Sequence, residues 1–291
     1  METTTKLNPV NILGGSFVGS LLTALCFGVL TIQTSRYYHT FPDDRRPVKL
    51  VVGLLWTFEA FQLACCTQSL YRLSVTNYYN PVALERGTWE FSMFQINMVC
   101  SSVIVQTFFA YRLYSLSANL YVGVFVQVLV LIQFGFGAAT SVRVNVILDF
   151  PGIVRECTWL IVTWLAIQAA ADIVIAACMC LLLWHRRTGS RKTDSMINRM
   201  ILYTISTGSV TSVLSCFVLM TFVKYGFHLS ELTISMPLGG FYTVTMLANL
   251  HSRKTLQARL DTPTPLELIS SSIKNIIGGT IKVKRGPMPL G

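Results

Sequence analysis

The sequence predicts an all-α integral membrane protein with seven transmembrane helices, an amino terminus outside the membrane and a carboxy terminus in the cytosol. Three observations carry this prediction. The 291 residues are 52% hydrophobic and only 12% charged, and the mean hydropathy of +0.55 is high for a water-soluble domain. The apolar residues form long runs separated by short polar stretches, and the basic residues collect in alternate stretches. No separate block is left that could form a soluble catalytic domain.

The apolar runs have the length of transmembrane helices. A helix crosses the hydrocarbon core with about 20 residues, and helices satisfy the backbone polar groups that lipid cannot. Seven runs are of about this length: residues 13–34, 47–71, 89–113, 121–142, 158–184, 200–223 and 232–250. The seventh contains Pro237 and Gly239-Gly240, so we expect a break that frees backbone groups beside a cavity, or a plain kink.

The basic residues predict how the helices are threaded. Cytosolic loops carry the excess of Lys and Arg, and 17 of the 23 basic residues fall on the side of the carboxy-terminal tail, against six on the other side. The prediction is therefore a short extracellular segment 1–12, a transmembrane domain 13–250, and a basic cytosolic tail 251–291 that is disordered or forms an interfacial helix. The plasma membrane is the expected compartment.

The net charge of +10 does not indicate a nucleic-acid partner. The excess lies in cytosolic loops and the tail, where the positive-inside bias already accounts for it. Anionic lipid headgroups are the expected partners of these basic loops. Seven of the eight cysteines fall within predicted spans, and no structural disulfide is expected.

Two carboxyl groups lie at predicted membrane depth, where ionisable groups are costly and mark functional sites. Glu59 lies near the middle of the second span with Gln62 on the same face, and Asp172 lies near the middle of the fifth with Gln168 one turn earlier. Both faces should point into the helix bundle, where a carboxyl group is protonated or finds a hydrogen-bond donor. The alternative is that these groups only bridge helices.

The third span adds a polar stripe. Gln95, Ser102 and Gln106 follow each other at i, i+7 and i+11, which places them on one face of a helix. The stripe either lines a polar cavity or provides interhelical hydrogen bonds of about 0.6 kcal/mol each. Together with the two carboxyl groups and their neighbouring glutamines, it forms the candidate intramembrane polar site.

Enzyme signatures are missing from the sequence. It contains no phosphate-binding loop, no HExxH motif and no GxSxG nucleophile motif. None of the four histidines has a second histidine three or four residues away, so no metal site and no cofactor is expected. We therefore expect no enzymatic activity, with an intramembrane enzyme as the remote alternative.

Five segments carry a resemblance to a known family: YYHTFPDDRRPVKLVVGLLW (37–56), VTNYYNP (75–81), FFAYRLYSLS (108–117), AAADIVIAA (169–177) and TGSRKTDSMINRMILYTISTGSVTS (188–212). They resemble a fungal, mainly basidiomycete, family of multi-pass membrane proteins of unknown function, the DUF6534 family. The resemblance implies a seven-span membrane protein without an assigned activity.

The resemblance also draws attention to Asp172 and to the cytosolic loop with Arg191, Asp194, Asn198 and Arg199. Asp194 can cap the sixth helix and pair with the neighbouring arginines at the membrane interface. The functional alternative is a docking loop for a cytosolic partner.

Three functional hypotheses follow, and the sequence leaves them open. The leading one is a receptor-like or sensing protein, in which an apolar or weakly polar ligand enters between the helices and shifts the cytosolic loop. The second is a proton-coupled transporter that uses Asp172 and Glu59 at the midplane, although no internal repeat is detectable. The third is a membrane scaffold without a ligand, which binds only protein partners.

Overall fold

The computed structural model describes residues 9–77, 89–117, 119–147, 150–185, 208–224 and 229–260. Within these ranges the chain is helical apart from short turns, and the predicted all-α class is confirmed. The seven helices are α1 (Pro9–Thr40), α2 (Arg46–Tyr71), α3 (Trp89–Ser117), α4 (Leu120–Ile147), α5 (Phe150–His185), α6 (Gly208–Lys224) and α7 (Leu229–Leu260).

Five of these helices, α1 to α5, are long and apolar enough to cross a membrane. In its described part α6 is apolar but shorter, and α7 does not meet the same criterion of length and hydropathy. The protein is therefore a membrane-embedded helical protein. The count of seven spans and the orientation of the two termini stay predictions.

The outward faces of the helices support membrane embedding. Phe17, Leu25 and Ile32 on α1 and Tyr121 and Phe125 on α4 each expose more than half of their surface. Water-soluble proteins rarely display contiguous apolar surfaces of this kind. In a bilayer these side chains contact lipid tails, which are as apolar as they are.

The helices extend beyond the predicted spans. The first span was expected over 13–34 and α1 covers Pro9–Thr40, while the fifth was expected from 158 and α5 begins at Phe150. Hydropathy marks only the part of a helix that lies in hydrocarbon, whereas the backbone hydrogen bonds continue into the interfacial region. For the same reason α7 continues through the first ten residues of the predicted tail, to Leu260. The tail beyond that point lies outside the described residues.

Helix α3 lies at the centre of the contacts among the long helices. It packs against α2, α4 and α5, while α1 packs on α2 and α4 packs on α5. The main core combines side chains from all seven described helices, including Leu30, Leu55, Val99, Trp164 and Leu247. The chain divides into two compact units, Met1–His251 and Ser252–Gly291, and all contacts discussed below lie within the first.

Helix α7 continues through Pro237, which excludes a break at this proline and leaves a kink as the remaining prediction. Proline has no backbone N–H to bond to the carbonyl four residues earlier, and its ring displaces that carbonyl. The helix is therefore weaker over the turn before the proline. Directly before the proline, Gln62 Nε2 on α2 donates to the carbonyl of Met236 at 2.8 Å. A side chain of α2 thus holds α7 at the turn that proline weakens.

One buried acid escaped the sequence analysis. Helix α2 ends in a single wide π-helical turn, Arg72–Thr76, and Arg72 Nε lies 3.1 Å from Oε1 of Glu90 at the start of α3. The Glu90 side chain is fully buried, whereas that of Arg72 is 42% exposed. Partial solvent screening limits the strength of this pair, but removing Arg72 would leave a buried acid without its cation.

Candidate functional site

Five of the candidate site residues on the described helices belong to two groups, both of which contact α7. We call the first the Asp172 centre, comprising Gln106, Gln168, Asp172 and Tyr242. We call the second the Glu59 centre, comprising Glu59, Gln62, Asn97 and Thr243. All eight side chains are buried. Ordered side chains with polar groups at this depth need hydrogen-bond partners, and α7 provides partners to both centres.

The Asp172 centre joins three helices through one carboxyl group. Gln106 Nε2 on α3 donates to Asp172 Oδ1 at 2.9 Å, and the Tyr242 hydroxyl on α7 donates to Asp172 Oδ2. Gln168, one turn before Asp172 on α5, donates from Nε2 to the Tyr242 oxygen at 2.9 Å. Each oxygen of the carboxyl group therefore has a donor from a different helix.

No cation accompanies Asp172 within the part of the chain that the structure describes. The ion pair recorded there is Arg72–Glu90, and the groups acting on Asp172 are the neutral side chains of Tyr242, Gln106 and Thr211. A buried carboxyl group is stabilised by such donors but keeps any negative charge uncompensated. The centre is thus a buried carboxyl group that is held by neutral hydrogen-bond donors.

A cavity of about 30 Å³ lies beside Asp172, enough for one or two water molecules. Its polar lining is provided by Gln106, Asp172, Thr211, Tyr242 and Thr245. The rest of its wall is formed by Val105, Phe109, Ile175, Ala176 and Gly208. Gln106 Oε1 is buried and has no hydrogen-bond partner among the described residues. The accessible wall of the cavity is mainly apolar.

The Glu59 centre is linked to α7 through Thr243, the residue that follows Tyr242. The Thr243 hydroxyl lies 3.2 Å from Glu59 Oε1 and also 3.2 Å from the carbonyl of Gly239 in its own helix. Asn97 on α3 donates from Nδ2 to Gln62 Oε1 and to the carbonyl of Phe58, each at 2.9 Å. The centre therefore connects α2, α3 and α7.

Two glycines explain why the Glu59 centre is tightly packed. A Cβ atom on Gly239 would lie 3.2 Å from Gln62 Oε1 and 3.3 Å from Glu59 Oε1. On Gly240 it would lie 3.0 Å from Cys26 Cβ of α1. The glycines permit close approach of α7 to α2 and α1, which is a packing role rather than a break in the helix.

The three residues of the predicted stripe on α3 have different surroundings. Gln106 contacts Asp172, whereas Ser102 donates to the carbonyl of Val99 at 2.9 Å and lies 3.4 Å from Gln133 Nε2. Gln95 lines a second cavity of about 30 Å³ together with Trp164, whose Nε1 is buried without a partner in the described residues. The stripe is continuous on the helix but does not line one continuous cavity.

The residues of the predicted cytosolic loop, Arg191, Asp194, Asn198 and Arg199, lie outside the described residues. Their capping or docking role stays a prediction. Among the residues that the structure does describe, no group of three His, Cys, Asp or Glu side chains is arranged to hold a metal ion. All eight cysteines lie in described helices and are free thiols.

Sequence reasoning missed Tyr242, Thr243 and Asn97. One signal was available for Tyr242, because it lies ten residues inside the seventh predicted span, far from the interfaces where other tyrosines cluster. Asn97 is likewise an amide in the interior of a span. Thr243 gave no signal, since a threonine in a membrane helix usually bonds to its own backbone.

Comparison with known proteins gives one family. Residues 168–255 match the model of DUF6534, which is described as a family of unknown function. The match includes Asp172, Tyr242 and Thr243, and so covers one side of each centre. The chain matches none of the curated proteins with which it was compared.

Proposed function

We propose for this chain, a DUF6534 domain-containing protein, a receptor-like or sensing role in the membrane, without enzymatic activity of its own. The observation that carries the proposal is the Asp172 centre, in which side chains from α3, α5 and α7 meet on one carboxyl group beside a cavity. A small change at this point alters the contacts of three helices at once. Such a junction suits a protein that changes state when a ligand binds.

A second contact supports transmission along α7. Asn249 lies seven residues after Tyr242, on the same helical face, and accepts a hydrogen bond from Arg112 of α3. A ligand that separates Tyr242 from Asp172 would shift α7 and disturb the Arg112–Asn249 contact two turns away. We propose that the ligand is apolar or weakly polar, enters between the helices, and changes the cytosolic loop that contains Arg191 and Arg199.

The proposal includes a seven-span topology with the amino terminus outside and the carboxy terminus in the cytosol. It is supported by the bias of basic residues and by five helices of sufficient length and hydropathy. The chain contains no natural Asn-x-Ser/Thr acceptor, so an acceptor sequence added at either end reports on that end alone. We expect glycosylation of an amino-terminal acceptor and none of a carboxy-terminal one, and the opposite pattern would contradict the orientation.

We further propose the plasma membrane as the compartment and anionic lipids as partners of the basic loops. Arg45, between α1 and α2, and Arg46, the first residue of α2, are exposed. Basic residues next to the cytosolic leaflet gain about 1 kcal/mol each from anionic headgroups. Binding to anionic vesicles should therefore weaken as salt increases. The fungal origin that the resemblance implies stays a prediction.

A proton-coupled carrier is the second candidate, and one observation favours it. Tyr242 and Thr243 are consecutive residues of α7, and one contacts Asp172 while the other contacts Glu59. A movement of α7 would therefore change the surroundings of both carboxyl groups. A carrier would transport a substrate into vesicles in response to a proton gradient and lose this flux in Asp172→Asn.

The experiment that tests the sensing role is a thermal-shift screen of the detergent-purified protein against lipids, sterols, peptides and small metabolites. A ligand that binds only the folded state raises its unfolding temperature. We expect a compound that stabilises the wild type and Glu59→Gln but not Asp172→Asn, and that produces no flux in vesicles. A complete absence of such compounds would favour a ligand-free scaffold and contradict the sensing role.

A further inference from the structure

A second cavity of about 30 Å³ lies inside the helix bundle, away from the Asp172 centre. Helices α3 to α7 all contribute to its wall, and none of the described residues in this wall also lines the cavity beside Asp172. Gln95 is half-buried, and every other described residue of the wall is buried. This space, which we call the Gln95 cavity, is thus an interior site with its own set of side chains.

Most of the wall of the Gln95 cavity is apolar. Aromatic and aliphatic side chains from α3, α4, α5 and α6 form it, among them Phe94, Val144, Ile161 and Phe222. No charged side chain belongs to the described part of the wall. An ion placed here would lose its hydration without gaining an opposite charge, which is strongly unfavourable. The wall therefore selects a neutral occupant.

Three hydroxyl or amide side chains interrupt the apolar wall. The Thr140 hydroxyl donates to the carbonyl of Phe136 at 2.8 Å, so only its capacity as an acceptor remains. The amide of Gln95 and the hydroxyl of Ser235 have no hydrogen-bond partner among the described residues. The Nε1 of Trp164 is too deeply buried to count with them. The three groups can satisfy one hydroxyl group, which donates one hydrogen bond and accepts up to two.

The number of polar groups distinguishes water from an organic molecule. The volume is enough for about two water molecules, and each buried water makes about three hydrogen bonds. The wall satisfies one hydroxyl group, so a second water would face mainly apolar side chains. A molecule with one hydroxyl group and a short alkyl part fills the same space, and its alkyl part is removed from water against the apolar wall.

From these observations we infer that the Gln95 cavity binds a small neutral alcohol of about three non-hydrogen atoms. Its hydroxyl group bonds to Gln95 of α3 and Ser235 of α7, and its alkyl part packs against Phe94 and Ile161. The bound alcohol would join α3 to α7 seven residues before Tyr242. The inference rests on the wall of this cavity and is independent of the sensing role proposed for the Asp172 centre.

The test measures binding of ethanol to the purified full-length protein by saturation-transfer difference NMR in detergent micelles, with empty micelles as the background. A ligand of about three non-hydrogen atoms binds with a dissociation constant of about 1 mM at best. We therefore expect a signal that saturates in the millimolar range. The branched alcohol 2-methyl-2-propanol has the same hydroxyl group on a larger body, so it should not displace ethanol.

Three variants make the test specific. Ser235→Leu fills the cavity and should abolish the saturable signal, whereas Ser235→Ala and Gln95→Leu should each raise the dissociation constant by about three- to tenfold. Ser20→Ala is the matched control, because Ser20 of α1 is 7% exposed like Ser235 but lies outside the cavity wall. It should bind ethanol like the wild type. If Ser235→Leu does not fold, Ser235→Ala and Gln95→Leu still decide.

Two results would overturn the inference. The absence of a saturable signal with the wild type would mean that the cavity holds no alcohol. An unchanged dissociation constant in both Ser235→Ala and Gln95→Leu, or displacement of ethanol by 2-methyl-2-propanol, would place the alcohol elsewhere. Ethanol binding that persists in Asp172→Asn, without any hit in the ligand screen, would support the alcohol site and count against the sensing role, so the two proposals fail separately.

Discussion

The two buried carboxyl groups have similar positions in their helices but different surroundings. Glu59 lies against glycines of α7, and a Cβ on Gly239 would lie within 3.3 Å of its Oε1. Asp172 lies beside a cavity of about 30 Å³. Protein atoms thus fill the Glu59 centre, whereas space that protein atoms do not fill remains beside Asp172.

This difference assigns separate roles to the two sides of α7. The side chains of consecutive helix residues point about 100° apart. Tyr242 and Thr243 therefore reach two different centres from the same helix. The filled side resists movement because close packing leaves no alternative arrangement. The side with the cavity can exchange contacts at lower cost. We therefore expect α7 to be anchored at Glu59 and to respond at Asp172.

The largest loss of stability is expected from a substitution on the anchored side of α7, at the Glu59 centre. Gly239→Leu introduces a side chain where even a Cβ would lie 3.2 Å from Gln62 Oε1, and overpacking should lower the free energy of unfolding by about 3 kcal/mol or more. Gly28→Leu is the matched control, because a Cβ at Gly28 meets nothing within 4 Å. Thermal unfolding in detergent measures both. An equal loss in the two variants would contradict close packing at α7.

A smaller effect is expected at the responsive side. Tyr242→Phe keeps the ring but removes the donor to Asp172 and the acceptor of Gln168. Leaving buried polar groups without their partner should cost about 1–3 kcal/mol. Tyr121→Phe, at a residue that is 84% exposed, should leave the unfolding temperature unchanged. A Tyr242→Phe protein as stable as the wild type would show that this hydroxyl does not join the helices.

The sequence predicted the helices better than it predicted the contacts within the two centres. Apolar runs predicted the helices, because lipid requires both an apolar surface and a bonded backbone. They could not predict helix ends such as Thr40, where amphipathic residues continue the helix. Glu59, Gln106 and Asp172 stood out as polar groups in apolar runs, since the cost of burying them is a property of the residue itself.

The partners on α7 could not be predicted from spacing. Tyr242 meets Asp172 across 70 residues of sequence, and such a pairing depends on how the helices pack. The two glycines were interpreted with Pro237 as a break or a kink, although Gly239 and Gly240 permit the contact with α2 and α1. A glycine alone does not show whether it frees the backbone or admits a neighbour.

The smallest loss of stability is expected from removing a single hydrogen bond at the Glu59 centre. Thr243→Val removes one hydroxyl contact with Glu59 Oε1, at 3.2 Å, while the surrounding packing keeps its shape. Interhelical hydrogen bonds of this type average about 0.6 kcal/mol in membrane proteins, so the loss of stability should be near that value. A loss larger than that of Tyr242→Phe would reverse the assigned roles.

The contrast between the two sides of α7 is tested most directly by two cysteine variants on that helix. Thr245→Cys places a thiol in the lining of the Asp172 cavity, and Thr243→Cys places one two residues earlier at the Glu59 centre, where Thr243 is fully buried. Each full-length variant is treated with a small water-soluble thiol reagent, and peptide mass spectrometry separates the new thiol from the natural cysteines. We predict modification at 245 and protection at 243. Equal protection of both thiols, or faster modification at 243, would contradict the account.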